Sequence, residues 1–327
     1  MASLALLAAP GMVRRMDHRR SAGGEDMPSG FPEVRTVQGV RSRDGTPLHV
    51  AYCGEAEPAV FFVHGWTCNG DIFRYQRAHF CREYRVVTVD LRGHGGSSRP
   101  ESRDFHADRL AEDLKAAVDA CDPGEFVVAG HSMGGFTAFK FHEHFGEDYR
   151  GRLKGLAIID STGTDLVEGL VMGKLIDLLY PRPLESLLEL GGRESPLAEK
   201  ARAWLRGSSA AYLLVRWAAF GENPPAGEVE FVREMAFSTP VTVVSLAARG
   251  CLDYHVDYHL PRVDLPVLLL VGSRDKLTSE RVNRRTCALL PQARLVVFKG
   301  AGHCVQLERR AEFNVELEDF LAQCFGR

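Results

Sequence analysis

Residues 130–134 read Gly130-His131-Ser132-Met133-Gly134. Before them stands the apolar run Phe126, Val127, Val128, Ala129, and after them Gly135 and a segment with helical character. A serine between two glycines, at the point where a buried strand turns sharply into a helix, is the pattern of a nucleophile elbow. The turn strains the serine backbone, and side chains two residues before and after it would collide with the neighbouring strand and helix. The expectation is a hydroxyl standing clear at the top of a sheet.

Working outward, strands and helices alternate. Residues 33–41 and 48–53, joined by a turn at Arg43-Asp44-Gly45, read as an opening hairpin. Residues 59–63 are wholly apolar, as in a strand buried on both faces. Further strands are expected at 85–90, 126–129, 153–159, 266–271 and 294–298. Helices are expected at 108–120, where Leu110, Leu114, Ala117 and Val118 share a face, and at 136–145, 279–290 and 305–325. This alternation predicts an α/β fold with a mostly parallel central sheet covered by helices on both faces. Between 163 and 260 the rhythm stops. Leu166, Val167, Leu170, Val171, Leu175, Ile176, Leu178 and Leu179 fall at helical spacing, with one possible strand at 241–246. The division is therefore a core of 31–162 and 261–327, interrupted by a helical insertion at 163–260 that packs over the end of the sheet.

A serine hydroxyl needs a base, a carboxylate to orient that base, and N–H donors for the oxyanion. In open parallel sheets such groups gather beyond the C-terminal ends of strands. Of the twelve histidines, His303 alone follows the last strand, which makes it the candidate base. Asp275 follows the strand at 266–271 and is the candidate acid; Asp160, after 153–159, is the alternative. Asp264 precedes a strand and sits at the wrong end. The backbone N–H groups of Met133, next to Ser132, and of Trp66, in His64-Gly65-Trp66, are the candidate oxyanion donors. His131 is expected to turn its ring away from the hydroxyl, and His94 to brace a loop. His142 and His144 read as a solvated helix face, without the spacing of a metal site.

Composition bounds the rest. The chain has 327 residues, 45% hydrophobic and 25% charged, with net charge −3. No basic run suggests nucleic-acid binding. The cluster Arg14, Arg15, Arg19, Arg20 falls in the first 30 residues, read as a disordered tail, with Met12, Met16 and Met27 as alternative starts. The short apolar run there precedes its basic residues, the reverse of a secretory signal. No stretch is apolar enough to span a membrane. Eight cysteines without a C-x-x-C pair read as reduced, mostly buried thiols of a cytoplasmic protein. Cys304, beside His303, is the one with a conceivable catalytic role.

These residues resemble the α/β-hydrolase superfamily from about 33 to 325. The marks are His64-Gly65-Trp66, Asp90-Leu91-Arg92-Gly93-His94-Gly95-Gly96-Ser97, Gly130-His131-Ser132-Met133-Gly134-Gly135, Gly272-Ser273-Arg274-Asp275 and Gly302-His303. The resemblance implies a cofactor-free serine hydrolase acting on a small-molecule carboxylic ester, thioester or lactone through an acyl-enzyme, with 163–260 as a cap over the acyl pocket. It leaves open peroxide-dependent chemistry, carbon–carbon bond hydrolysis and a non-catalytic ligand-binding role. Serine at the nucleophile position separates the chain from aspartate-bearing dehalogenases and epoxide hydrolases. Substrate, pocket residues and oligomeric state are not legible.

Overall fold

The structure, a computed structural model, describes residues 32–164, 188, 190–252 and 254–327. The expected tail at 1–30 and the apolar run at 166–179 lie outside the described residues.

The apolar run Ala59–Val63 has no exposed position and forms β3, inside an eight-stranded sheet. The others are β1 (Arg35–Val37), β2 (Val50–Cys53), β4 (Arg85–Val89), β5 (Phe126–His131), β6 (Leu153–Ile159), β7 (Val267–Gly272) and β8 (Ala293–Phe298). Their order is β1-β2-β4-β3-β5-β6-β7-β8. β1 and β2 are antiparallel to their neighbours; from β4 to β8 every pair is parallel. Successive side chains leave a strand on opposite faces. Phe61, Val87, Val128, Ile158 and Leu269 therefore join one apolar cluster, and Phe62, Val86, Val127, Ala157 and Leu268 the other. Burying each such valine, leucine or phenylalanine contributes about 1.5–3 kcal/mol.

Helices α1 (Arg74–Phe80), α2 (Ala107–Cys121) and α3 (Met133–Phe145) pack on the sheet. In α2, Leu110, Leu114, Ala117, Val118 and Cys121 form the buried stripe. Between β6 and β7 the described residues form α4 (Pro196–Arg206), α5 (Ser209–Ala219), α6 (Ala226–Ala236) and α7 (Val241–Leu252). Ser195 and Ser208 cap α4 and α5 by accepting from the N–H of Ala198 and Ala211. The remaining helices are α8 (Glu280–Leu289), α9 (Val305–Glu308) and α10 (Arg310–Phe325). No single described helix is long and apolar enough to cross a membrane.

Three expectations need correction. The stretch 241–246 is helical, not a strand. Its valines and threonine are β-branched, but Val243, Ala247 and Cys251 lie one turn apart and are buried in the first cluster, and that stripe decides the conformation. The closing helix is two helices, separated at Arg309, whose φ is −130°. His142 is not on a solvated face: it is buried, with Nδ1 2.9 Å from Nε2 of His259. His144 does lie at the surface, against Asp108.

The parallel register brings the strand ends level. Val63 pairs with Gly130 and Val89, Gly130 with Ile158, and Ile159 with Leu270. The residues that follow β3, β5, β6, β7 and β8 thus share the C-terminal edge.

Candidate active site

Ser132 follows β5 and precedes α3 with φ 53° and ψ −119°. A side chain tolerates this left-handed geometry only under strain. Two close approaches hold it there. A Cβ at Gly130 would stand 2.2 Å from the Gly134 carbonyl oxygen, and a Cβ at Gly134 would stand 2.1 Å from that of Val63. Only glycine lets the helix start so near both strands.

Beyond β8, the loop of Gly300 to Gly302 delivers His303; beyond β7, Asp275 faces it. Nδ1 of His303 lies 2.8 Å from Oδ2 of Asp275, and both residues are buried. Asp275 also accepts from the N–H of Leu277 at 2.7 Å, the N–H of Thr278 at 3.0 Å and the hydroxyl of Thr278 at 2.6 Å. Burial pushes its carboxyl up, but the His303 charge and these hydrogen bonds outweigh it and hold the group below its ordinary value.

Asp160, the alternative acid, is fully buried and makes different contacts. Its oxygens accept from Gly272 N–H at 2.9 Å and Val305 N–H at 3.0 Å. Burial first, then the nearby Asp275 charge, raise its carboxyl well above the ordinary range. The two carboxyls are driven apart, and Asp275 is the one paired with the imidazole. Asp160 instead ties the end of β7 to the start of α9.

Gly65 stands against Ser132: a Cβ there would meet Ser132 Cβ and His131 Nδ1 at 2.9 Å. The loop is braced by His64, fully buried, whose Nδ1 donates to the Gly65 carbonyl at 2.7 Å while Nε2 accepts from Leu91 N–H at 3.0 Å. The buried His94 ring lies 5.3 Å from it. Trp66 lines the cavity, and its indole N–H donates to the Val244 carbonyl at 2.9 Å. Met133 is the first residue of α3, so its N–H has no partner within the helix. Among the described residues no backbone carbonyl takes the N–H of Trp66 or Met133.

His131 bonds the backbone of His303: Nε2 lies 2.7 Å from the His303 carbonyl oxygen. Burial and the neighbouring His303 charge push its imidazole down to about 3, so it is neutral. Cys304 is buried, and burial, with the neighbouring charges, raises its thiol well above the ordinary value and disfavours the thiolate. The motif at 90–97 is spent on structure. Arg92, fully buried, grips Asp113 through Nε at 2.9 Å and Nη2 at 2.6 Å.

Ser132, His131 and His303 open into a cavity of about 470 Å³. Its other walls are mostly apolar, with Leu214, Val215 and Ala218 from α5, Val232 and Ala236 from α6 and Val244 from α7; Arg202 of α4 and Thr67 also line it. A polar cleft of about 520 Å³, with His49, Arg77 and Asp90 in its wall, touches neither Ser132 nor His303. Its Asp90 carboxylate is already filled by Gly70, Gly96 and His49.

Residues 58–310 match the alpha/beta hydrolase fold family. The chain is 25% identical to non-heme chloroperoxidase CPO-A1 of Kitasatospora aureofaciens over 86% of its length and 98% of that protein. It is also 25% identical to 3-oxoadipate enol-lactonase 2 of Acinetobacter baylyi, over 88% and 96% of the two chains. Among solved structures, a thermophilic esterase from Thermogutta terrifontis superposes with TM-score 0.67 at 24% identity, over 89% and 99% of the chains, a likeness of fold.

Proposed function

Since the chain belongs to the alpha/beta hydrolase fold family, we propose that it is a serine hydrolase that cleaves a carboxylic ester, thioester or lactone of an apolar small molecule. Ser132 is the nucleophile, His303 the base and Asp275 the acid; Trp66 and Met133 give the oxyanion donors, and the helices between β6 and β7 form a cap over the acyl cavity. The observation that carries this reading is that Ser132, on a strained turn, and His303, paired with buried Asp275, open into one apolar cavity.

The chemistry follows from the contacts. Asp275 accepts the Nδ1 proton of His303 and leaves Nε2 to take the proton of Ser132 as its oxygen attacks the ester carbonyl. No described hydrogen bond yet joins the Ser132 hydroxyl to the ring; such contacts tighten when substrate binds. The N–H groups of Trp66 and Met133 hold the negative oxygen, each donor contributing about 3–4 kcal/mol to the transition state. His303 then returns its proton to the leaving alcohol. Water, deprotonated by the same nitrogen, attacks the acyl-serine and releases the acid.

The test is a fluorophosphonate probe beside a short p-nitrophenyl ester. The wild-type chain takes the probe and turns over the ester; Ser132→Ala does neither and melts normally. Undiminished hydrolysis by Ser132→Ala would refute the assignment. A second reading rests on the chloroperoxidase relative: hydrogen peroxide replaces water at the acyl-serine and leaves as a peracid. Peroxide-dependent bromination of a dye, lost in Ser132→Ala, distinguishes it.

A further inference from the structure

Glu308 takes no part in the chemistry above, yet its carboxylate is buried one helical turn beyond His303. It spans two chain segments. Oε1 accepts from Gly302 N–H at 2.8 Å, and Oε2 accepts from Gly221 N–H at 2.9 Å. The same segments meet directly: His303 N–H donates to the Ala219 carbonyl at 2.9 Å, and Glu222 N–H to that of Gly300 at 2.7 Å. They lie so close that a Cβ on Gly302 would stand 2.4 Å from Gly221 N, and one on Gly221 would stand 2.1 Å from the Gly300 oxygen. Ala219 ends α5 and lines the cavity. The cavity wall and the loop carrying His303 are therefore one seam, fastened by a carboxylate.

We propose that Glu308 is a positioning residue, whose carboxylate fastens the His303 loop to the 219–222 segment and so holds the imidazole where it serves Ser132. The inference rests on His303 being the base. Both backbone donors aim at carboxylate oxygens, so the charged form satisfies both. A glutamine turns an amide N–H toward a backbone donor, and a protonated carboxyl loses its charge and weakens as an acceptor at one oxygen, so either loosens the seam on one side.

The groups that face Glu308 come from several elements. Arg309 lies beside it on the chain and Cys304 one turn earlier. Asp160 approaches from the end of β6, and Lys276 from the loop after β7. Glu222, next to Gly221, is paired with Arg274. Burial dominates: it pushes the Glu308 carboxyl up to about 7, against the pull of the Gly221 and Gly302 amides and of Arg309. The clasp thus charges across neutral pH, and the base works best above it.

The experiment compares wild type, Glu308→Gln and Ser132→Ala on one short p-nitrophenyl ester between about pH 5.5 and pH 8.5. At the alkaline end Glu308→Gln is expected to lose about 10- to 100-fold in kcat, as for a base displaced by a fraction of an ångström to an ångström. Its KM should stay within about twofold, since most of the cavity lining, including Val232, Ala236 and Val244, lies outside the seam. Toward the acid end the wild type loses its own clasp, so the ratio of wild type to variant shrinks toward one. A ratio that is constant with pH, or a variant as fast as wild type throughout, overturns the inference. If Glu308→Gln does not fold, the wild-type profile decides. An acid limb of kcat/KM falling with a slope approaching two supports a second ionisation, and a slope of one overturns it. Loss of all activity in Ser132→Ala with no change in Glu308→Gln overturns the clasp alone; full activity in Ser132→Ala overturns the site.

Discussion

Oδ2 of Asp275 lies 2.8 Å from Nδ1 of His303, while the other buried carboxyl at the sheet edge, Asp160, spends both oxygens on the backbone N–H groups of Gly272 and Val305. The contacts divide the two acids between electrostatics and scaffolding. Asp275→Asn keeps the shape but removes the charge that stabilises the imidazolium and fixes its tautomer. Ester hydrolysis should fall roughly a thousandfold or more. Asp160→Asn puts an amide N–H against a backbone N–H and should lower the melting temperature by several degrees, with a smaller loss of rate. Steady-state kinetics and thermal melts of both variants check this; a larger kcat loss in Asp160→Asn than in Asp275→Asn would reverse the assignment.

The buried histidines make stability depend on acidity. Burial, aided by the His64 charge for His94 and the His303 charge for His131, pushes both imidazoles down to about 3. Unfolded, each would bind a proton near its ordinary value of about 6.5. Between those values the unfolded chain holds more protons, so stability rises with pH there. The contribution of these two groups is fully present above about 6.5 and is lost as the pH falls toward about 3. Asp275, also depressed, adds in the same direction at lower pH, where it is lost as pH falls through its folded value. Asp160 is raised and works oppositely: its contribution is present below the ordinary carboxylate value and lost as pH rises through the folded one. His64, His142 and His259 are lowered as well, so five depressed imidazoles outnumber the raised groups Asp113, Asp160, Glu308 and His49, and the melting temperature should drop between about pH 6.5 and pH 4.5. A flat melting temperature across that range would contradict the neutral buried state of His94 and His131.

Much of this was legible from particular residues. The glycines around Ser132 announce a close approach that the Gly130 and Gly134 contacts bear out, and the apolar run of β3 announces a strand buried on both faces. The family followed from the same motifs. Other features leave no such mark. The bond between His142 and His259 joins residues 117 apart and depends on how the chain returns to α3. The helical state of Val241–Leu252 depends on what Val243 and Ala247 pack against, which outweighs β-branching. The roles of Asp160 and Glu308 are invisible because their partners are backbone N–H groups, which every residue but proline has.

Gly65 offers a test of the proposed oxyanion loop that leaves Ser132, His303 and Asp275 in place. A methyl group there meets Ser132 Cβ and His131 Nδ1 at 2.9 Å, a distance at which one of them must move. The loop is the softer partner, since Ser132 is locked between β5 and α3. Gly65→Ala should push the Trp66 N–H off the oxyanion and reduce kcat by about a hundredfold, with a smaller change in KM. The rate of fluorophosphonate labelling should fall alongside, because the phosphoryl oxygen uses the same donors. Wild-type labelling and turnover in Gly65→Ala would remove this loop from the oxyanion site.

The apolar cavity predicts how the rate depends on acyl length. Each methylene carried from water into walls such as Val215, Val232 and Val244 gains about 0.8 kcal/mol. That corresponds to roughly a fourfold rise in kcat/KM per added carbon, until the cavity of about 470 Å³ is full. Beyond that length further carbons stay in water or strain the helices, and kcat/KM levels off or falls. Ala236 closes one wall from the end of α6, distant in sequence from every residue of the triad and the seam. Ala236→Phe fills part of the space without touching the nucleophile, so acetate esters should react at near wild-type rates while the length giving maximal kcat/KM becomes shorter. A graded series of p-nitrophenyl esters reads both quantities. An unchanged optimum in Ala236→Phe would mean that the acyl chain lies elsewhere, whereas equal losses on every ester would mean that the substitution disturbs Ser132 and not the pocket.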